Sequence, residues 1–96
     1  MLTHSVFFQL KFPKESSEEY EFLQAAAKLA SIPGVRKLRT LRQLSSKNSF
    51  DYGLTMDFDS QEEYHVYSAH PDHVTFVETY WEKYVAKFME IDYEEM

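Results

Sequence analysis

Seven consecutive residues, Tyr67-Ser-Ala-His70-Pro71-Asp-His73, hold two of the four histidines in this chain and one of its seven tyrosines. Imidazole exchanges protons near neutral pH, so these histidines are suited to act as a base. The Tyr67 phenol supplies a weak acid that donates hydrogen bonds. A tyrosine polarising a carbonyl while His73 removes a proton beside it is the chemistry these residue types would perform. Pro71 governs how they are displayed. It cannot sit inside a helix, it pushes His70 towards extended backbone, and it suits the first position of a new helix. The spacing therefore predicts a helix–helix corner flanked by His70 and His73, with Tyr67 on the last turn before it. The same corner equally suits histidines that satisfy backbone groups and a tyrosine that simply packs.

The elements that must position these side chains are legible around them. Residues 2–12 alternate, with Leu2, His4, Val6, Phe8, Leu10 and Phe12 on one face and Thr3, Ser5, Phe7, Gln9 and Lys11 on the other. This is a half-buried strand whose inner face carries His4. A histidine there is more often a hydrogen-bonded core group than a catalytic one. Ser16-Ser-Glu-Glu19 reads as a capping box opening a helix to about Ala30, with Tyr20, Leu23, Ala27 and Ala30 as its inner stripe and Phe22, Ala26 and Leu29 flanking. Ile32-Pro-Gly-Val35 stops it.

Residues 35–44 form a second strand, basic on both faces through Arg36, Lys37, Arg39 and Arg42, as a solvated edge strand is. Phe50 to Phe58 is the third, with Tyr52, Leu54, Met56 and Phe58 on one face. Asp59 and Ser60 open the helix carrying Tyr64 and Tyr67. After Pro71, residues Val74, Phe76, Val77, Tyr80 and Trp81 continue as a second helical piece. Tyr84 to Tyr93 reads as a last strand whose irregular alternation assigns neither face.

The order β-α-β-β-α-β implies an α+β, ferredoxin-like sandwich with a four-stranded antiparallel sheet, both helices on one face, and the second and fourth strands at the edges. The other sheet face carries Phe7 and large residues of the last strand. Sheet-to-sheet pairing in a homodimer is the simplest cover. Ninety-six residues make a single domain, 1–96. There is no cysteine, which excludes disulfides and thiolate metal sites. The histidines have no diagnostic ligand spacing, so no metal is expected, and no cofactor either. A net charge of −6 argues against nucleic acid as partner. The N-terminus has no signal-peptide pattern and no stretch is long enough to cross a bilayer, so a cytoplasmic location away from membranes is expected.

The pattern resembles the stress-responsive A/B barrel (Dabb) family of dimeric α+β barrels. The matching residues are the opening strand Thr3-His4-Ser-Val-Phe-Phe-Gln-Leu-Lys11, Ile32-Pro-Gly-Val35, Phe50-Asp-Tyr52 with Phe58-Asp-Ser60, Tyr67-x-x-His70-Pro-x-His73, and Ile91-Asp-Tyr93. The resemblance implies two sheets packed face to face in a dimer, a barrel-type pocket between each sheet and its helices, and a small hydrophobic or aromatic ligand. Residues implied to line that pocket are His4, Val6, Phe8, Tyr52, His70 and Phe76. A plant branch of olivetolic acid cyclase type closes linear polyketides by aldol condensation. There the histidine matching His73 is the general base, the tyrosine matching Tyr67 bonds the substrate carbonyl, and the histidine matching His4 lines the pocket. Tyr52 stands where that branch has a further histidine. Cofactor-free monooxygenation, known in related barrels, is a further implied alternative.

Overall fold

The computed structural model describes residues 1–96. Four strands, β1 (Leu2–Leu10), β2 (Arg36–Arg42), β3 (Tyr52–Phe58) and β4 (Val85–Tyr93), form one antiparallel sheet in the order β2-β3-β1-β4. The second and fourth strands are the edges, as the topology required. β1 is paired on both sides, and its period-two alternation buries Leu2, His4, Val6, Phe8 and Leu10. Register places Met56 and Asp92 on either side of His4, and Leu54 and Glu90 on either side of Val6. All of these lie on the inner face.

Helix α1 (Ser17–Ala27) starts where expected, with the Ser16 hydroxyl accepting from the Glu19 amide at 3.2 Å. A turn of tighter 3-10 helix, Lys28–Ser31, extends it. Its buried stripe is Glu19, Phe22, Ala26 and Leu29 rather than Tyr20, Leu23, Ala27 and Ala30. The reason is the Phe22 ring, which is wholly buried with Phe8, Phe76, Trp81 and Tyr84 around it at 5.3–6.0 Å. Turning that ring into the core leaves Tyr20 67% exposed.

Helix α2 (Gln61–Ala69) is capped by Ser60, which accepts from the Glu63 amide. His70 ends α2 in extended backbone, and Pro71 opens α3 (Pro71–Phe76) at its first turn. The helical path continues through a wider π turn, Val77–Trp81, and a last short helix α4 (Glu82–Tyr84). The core lies between this layer and the inner sheet face.

The opposite sheet face carries no layer. Met89 and Ile91 are each 44% exposed there and Tyr93 51%. Phe7 lies across Gly53, with its ring 2.7 Å from where a Cβ on that glycine would stand. Between these side chains the Ser5 Oγ and Thr55 Oγ1 are buried without a hydrogen-bond partner. No helix is long and apolar enough to cross a membrane.

Candidate functional site

A cavity of about 350 Å³ opens between the inner sheet face and the α2–α4 layer. Its sheet wall is His4 and Val6 from β1, Leu54 and Met56 from β3, and Phe88 and Glu90 from β4. The helical wall is Leu29, Tyr67, His73, Phe76, Val77, Trp81 and Glu82. The corner at Pro71 sets the geometry of this wall. His70 spends its own ring on the corner, its Nδ1 accepting from the Asp72 amide at 3.0 Å as the cap of α3. His73, three residues on, is thereby turned back over α2. Its ring lies 4.6 Å from that of Tyr67.

His73 Nδ1 stands 2.9 Å from the Ser68 carbonyl. A carbonyl only accepts, so Nδ1 carries the proton and Nε2 of the neutral ring keeps its lone pair. Burial holds this imidazole below its ordinary 6.5; nearby His4 pushes the same way, against the Ser68 carbonyl and the Glu90 carboxylate. His73 is therefore neutral at pH 7.

Tyr67 is 2% exposed, and its hydroxyl is neither hydrogen-bonded within the chain nor among the sealed, unpartnered polar atoms. It opens to the cavity. Burial raises its phenol above the ordinary 10.0, with Tyr64 and Glu90 adding to the effect. The neighbouring Tyr64 is raised by burial first, then by Asp92 and Glu90. Both phenols thus remain proton donors at physiological pH.

His4 is held from behind. Its Nδ1 lies 2.5 Å from Asp92 Oδ1, and the Tyr64 hydroxyl is a longer contact at 3.3 Å. An ionised carboxylate accepts only, so Nδ1 is the protonated nitrogen here too. Nε2 is left on the cavity side, 3.9 Å from Glu90 Oε2. The site therefore presents two oriented imidazoles, one free phenol and the carboxylates of Glu90 and Glu82 within largely apolar walls.

Five of the residues expected at a pocket, His4, Val6, Tyr67, His73 and Phe76, line this cavity together. Three do not. Phe8 is fully enclosed by Phe22, Tyr52 and Trp81 at 5.3–5.8 Å, because it sits towards the end of β1 away from His4, paired with Tyr52 and under the Phe22 ring. Tyr52 is at the far end of β3, where burial and a hydrogen bond with Glu19 push its phenol up to about 12. His70 is committed to the helix cap. Sequence reasoning did not single out Asp92, Glu90 or Phe88 as site residues. They share the inner face of the last strand, a mixed polar and apolar pattern whose direction is set only by pairing with β1. No group of three His, Asp or Glu side chains is arranged to hold a metal.

The family model of the stress-responsive A/B barrel domain matches residues 2–95. A Dabb family protein with a ferredoxin-like fold from Mesorhizobium loti is 44% identical, covering 99% of this chain and 96% of its own, with a TM-score of 0.97. The chain belongs to the stress-responsive A/B barrel family. More distant similar folds include a dimeric ferredoxin-like protein of unknown function from Thermobifida fusca, at 19% identity, 98% and 90% coverage and a TM-score of 0.80. A hydroxynitrile lyase from Passiflora edulis is similar at 16% identity, 99% and 94% coverage and a TM-score of 0.85. At these identities the likeness is one of fold alone. Among curated proteins none matches the chain.

Proposed function

We propose that this Dabb domain is a homodimeric small-molecule-binding protein whose cavity takes a small hydrophobic or aromatic ligand. The observation that carries the reading is the cavity of about 350 Å³, walled mainly by apolar side chains, into which the unpartnered Tyr67 hydroxyl opens. A cavity-facing hydroxyl with no protein partner is left to water, and a ligand oxygen would take that water's place. Pairing through the bare sheet face is supported by half-exposed Met89, Ile91 and Tyr93 around two orphaned hydroxyls, and by the dimeric Thermobifida fusca relative. Native mass spectrometry of the freshly purified protein, followed by the denatured sample, tests both parts. The expected result is a dimer carrying a small mass that leaves on denaturation. A monomer overturns the pairing. A bare protein whose Trp81 emission is unmoved by small aromatic compounds overturns the binding role.

One observation favours an enzymatic second reading, namely the Ser68 carbonyl fixing His73 with Nε2 unprotonated beside the Tyr67 phenol. In an aldol-type cyclisation, Nε2 takes the proton from a carbon beside the substrate carbonyl while Tyr67 holds the developing enolate oxygen. The enolate carbon then bonds to a second carbonyl carbon, and the alkoxide formed recovers the proton from His73. Positioned acid–base catalysis of this kind is worth roughly 10²–10⁴-fold. His73→Ala is expected to keep the dimer and lose turnover of a linear polyketide substrate. Unfolding of that variant would assign His73 to the corner alone. Cofactor-free oxygenation of an electron-rich aromatic would use the same base to form a phenolate, and has no separate observation in its favour.

A further inference from the structure

The charges on the cavity wall are of one sign. Glu90 and Glu82 are its only formally charged residues, and no lysine or arginine lines it. Glu90 is not a remote rim charge. Its carboxylate is 3.9 Å from His4 Nε2, and its field is felt at Tyr64, Tyr67 and His73. His73 is neutral, and His4 lies between two carboxylates, Asp92 and Glu90, so even a positive charge on its ring leaves this end of the cavity net negative.

The hydrogen-bonding groups have the same bias. The Nε2 atom of the neutral His73 ring and the Glu90 carboxylate accept, and the Tyr67 hydroxyl donates. An entering carboxylate would lose water, find that single donor, and lie in the field of Glu90. An ammonium, amine or hydroxyl would find the His73 Nε2 and the Glu90 carboxylate as acceptors beside the aromatic rings of Tyr67, Phe76, Trp81 and Phe88, which also attract cations.

We propose that this cavity selects by charge, admitting compact aromatic molecules that carry a cationic or neutral hydrogen-bond donor and rejecting carboxylates, with Glu90 as the residue that imposes the choice. The inference rests on the small-molecule-binding reading and adds the ligand class to it. It also sets this chain apart from any activity whose ligand is an organic acid. Glu90 is on β4 directly opposite Val6, so its place in the wall follows from strand register.

Trp81 is the only tryptophan and lines the cavity, so its fluorescence reports occupancy directly. The test uses three probes of matched shape, 4-phenylbutylamine, 4-phenylbutanol and 4-phenylbutyrate, titrated at pH 7.5 and low salt into the intact protein. The expected order is amine, then alcohol, then carboxylate, with about tenfold between the ends, the size expected of a half-exposed carboxylate in a partly wet cavity. Glu90→Gln should shrink that spread to about twofold or less, chiefly by weakening the amine and strengthening the carboxylate. Carboxylate binding as tight as the amine in the unmodified protein overturns the inference and leaves the binding role standing. So does a spread that Glu90→Gln does not shrink. Failure of all three probes to alter Trp81 emission overturns the binding role itself, and this inference with it.

Discussion

Replacing Asp92 by Ala removes the acceptor that holds His4. His4 is 6% exposed and its Nδ1–H then has no charged partner, only the Tyr64 hydroxyl already 3.3 Å away. A hydrogen bond to a charged group contributes about 1.5–3 kcal/mol, and a stranded buried donor costs about 1–3 kcal/mol. The Asp92 side chain is one-third exposed, and Tyr64 takes over part of the bond, so the lower half of that range applies. The expected loss is about 1.5–2 kcal/mol, or about 6–16 °C in Tm for a domain of this size. Asp92→Asn keeps an acceptor oxygen and should lose roughly half as much. Glu90→Gln, half exposed and 3.9 Å from the other ring nitrogen, should change stability by less than about 0.5 kcal/mol. Urea unfolding at one fixed protein concentration measures all three, since pairing of copies would make stability concentration-dependent. Adding His4→Phe closes a double-mutant cycle, with an expected coupling of at least about 1 kcal/mol. If Asp92→Ala and Glu90→Gln are equally mild and the cycle shows no coupling, the carboxylate does not orient His4 and the site loses one of its two directed imidazoles.

Three further outcomes follow from the same geometry. Because His73 titrates below 6.5 when folded and at about 6.5 when unfolded, its contribution to stability is complete above 6.5 and declines as pH falls from there to its folded pKa. Proton NMR of the ring should show that low midpoint, with His4, Glu90 and Tyr67 as the groups facing it, and a midpoint above 6.5 would contradict the burial argument. Phe22→Ala should cost about 3–5 kcal/mol by urea unfolding, since it empties the space shared by Phe8, Phe76, Trp81 and Tyr84. Gly53→Ala drives a methyl into the Phe7 ring and should cost about 1–3 kcal/mol and weaken self-association in sedimentation, whereas unchanged stability would mean that Phe7 swings aside freely.

Where neighbours in sequence decide the outcome, the chain was readable. The strict alternation of Leu2 to Leu10 placed β1 and the inward face of His4, Ser16 and Ser60 marked the helix starts, and Pro71 marked the corner. The inner stripe of α1 was not readable, because Ala25, Ala26 and Ala27 offer a small face in any direction and only the tertiary fit of Phe22 chooses among them. The faces of β4 were hidden for a different reason. Its inner face mixes Phe88 with Glu90 and Asp92 while its outer face carries apolar Met89, Ile91 and Tyr93, and its register with β1 shifts between Gln9 and Leu10, which breaks the local period. The Asp92–His4 contact joins residues 88 apart, so nothing near either one announces it.

The π turn at Val77–Trp81 has a consequence for how this family diversifies. A π turn is an α-helix holding one surplus residue, and it rotates everything beyond it by about 100° relative to a regular helix. Here it lies just after the Tyr67–His73 segment and just before Trp81 meets the cavity. A single-codon deletion in that turn would re-aim the tryptophan and rebuild one wall while leaving Tyr67 and His73 where they are. Homologues sharing the same histidine signature are thus one short mutational step from different pocket shapes, and ligand preference should be inherited far less faithfully than the signature itself.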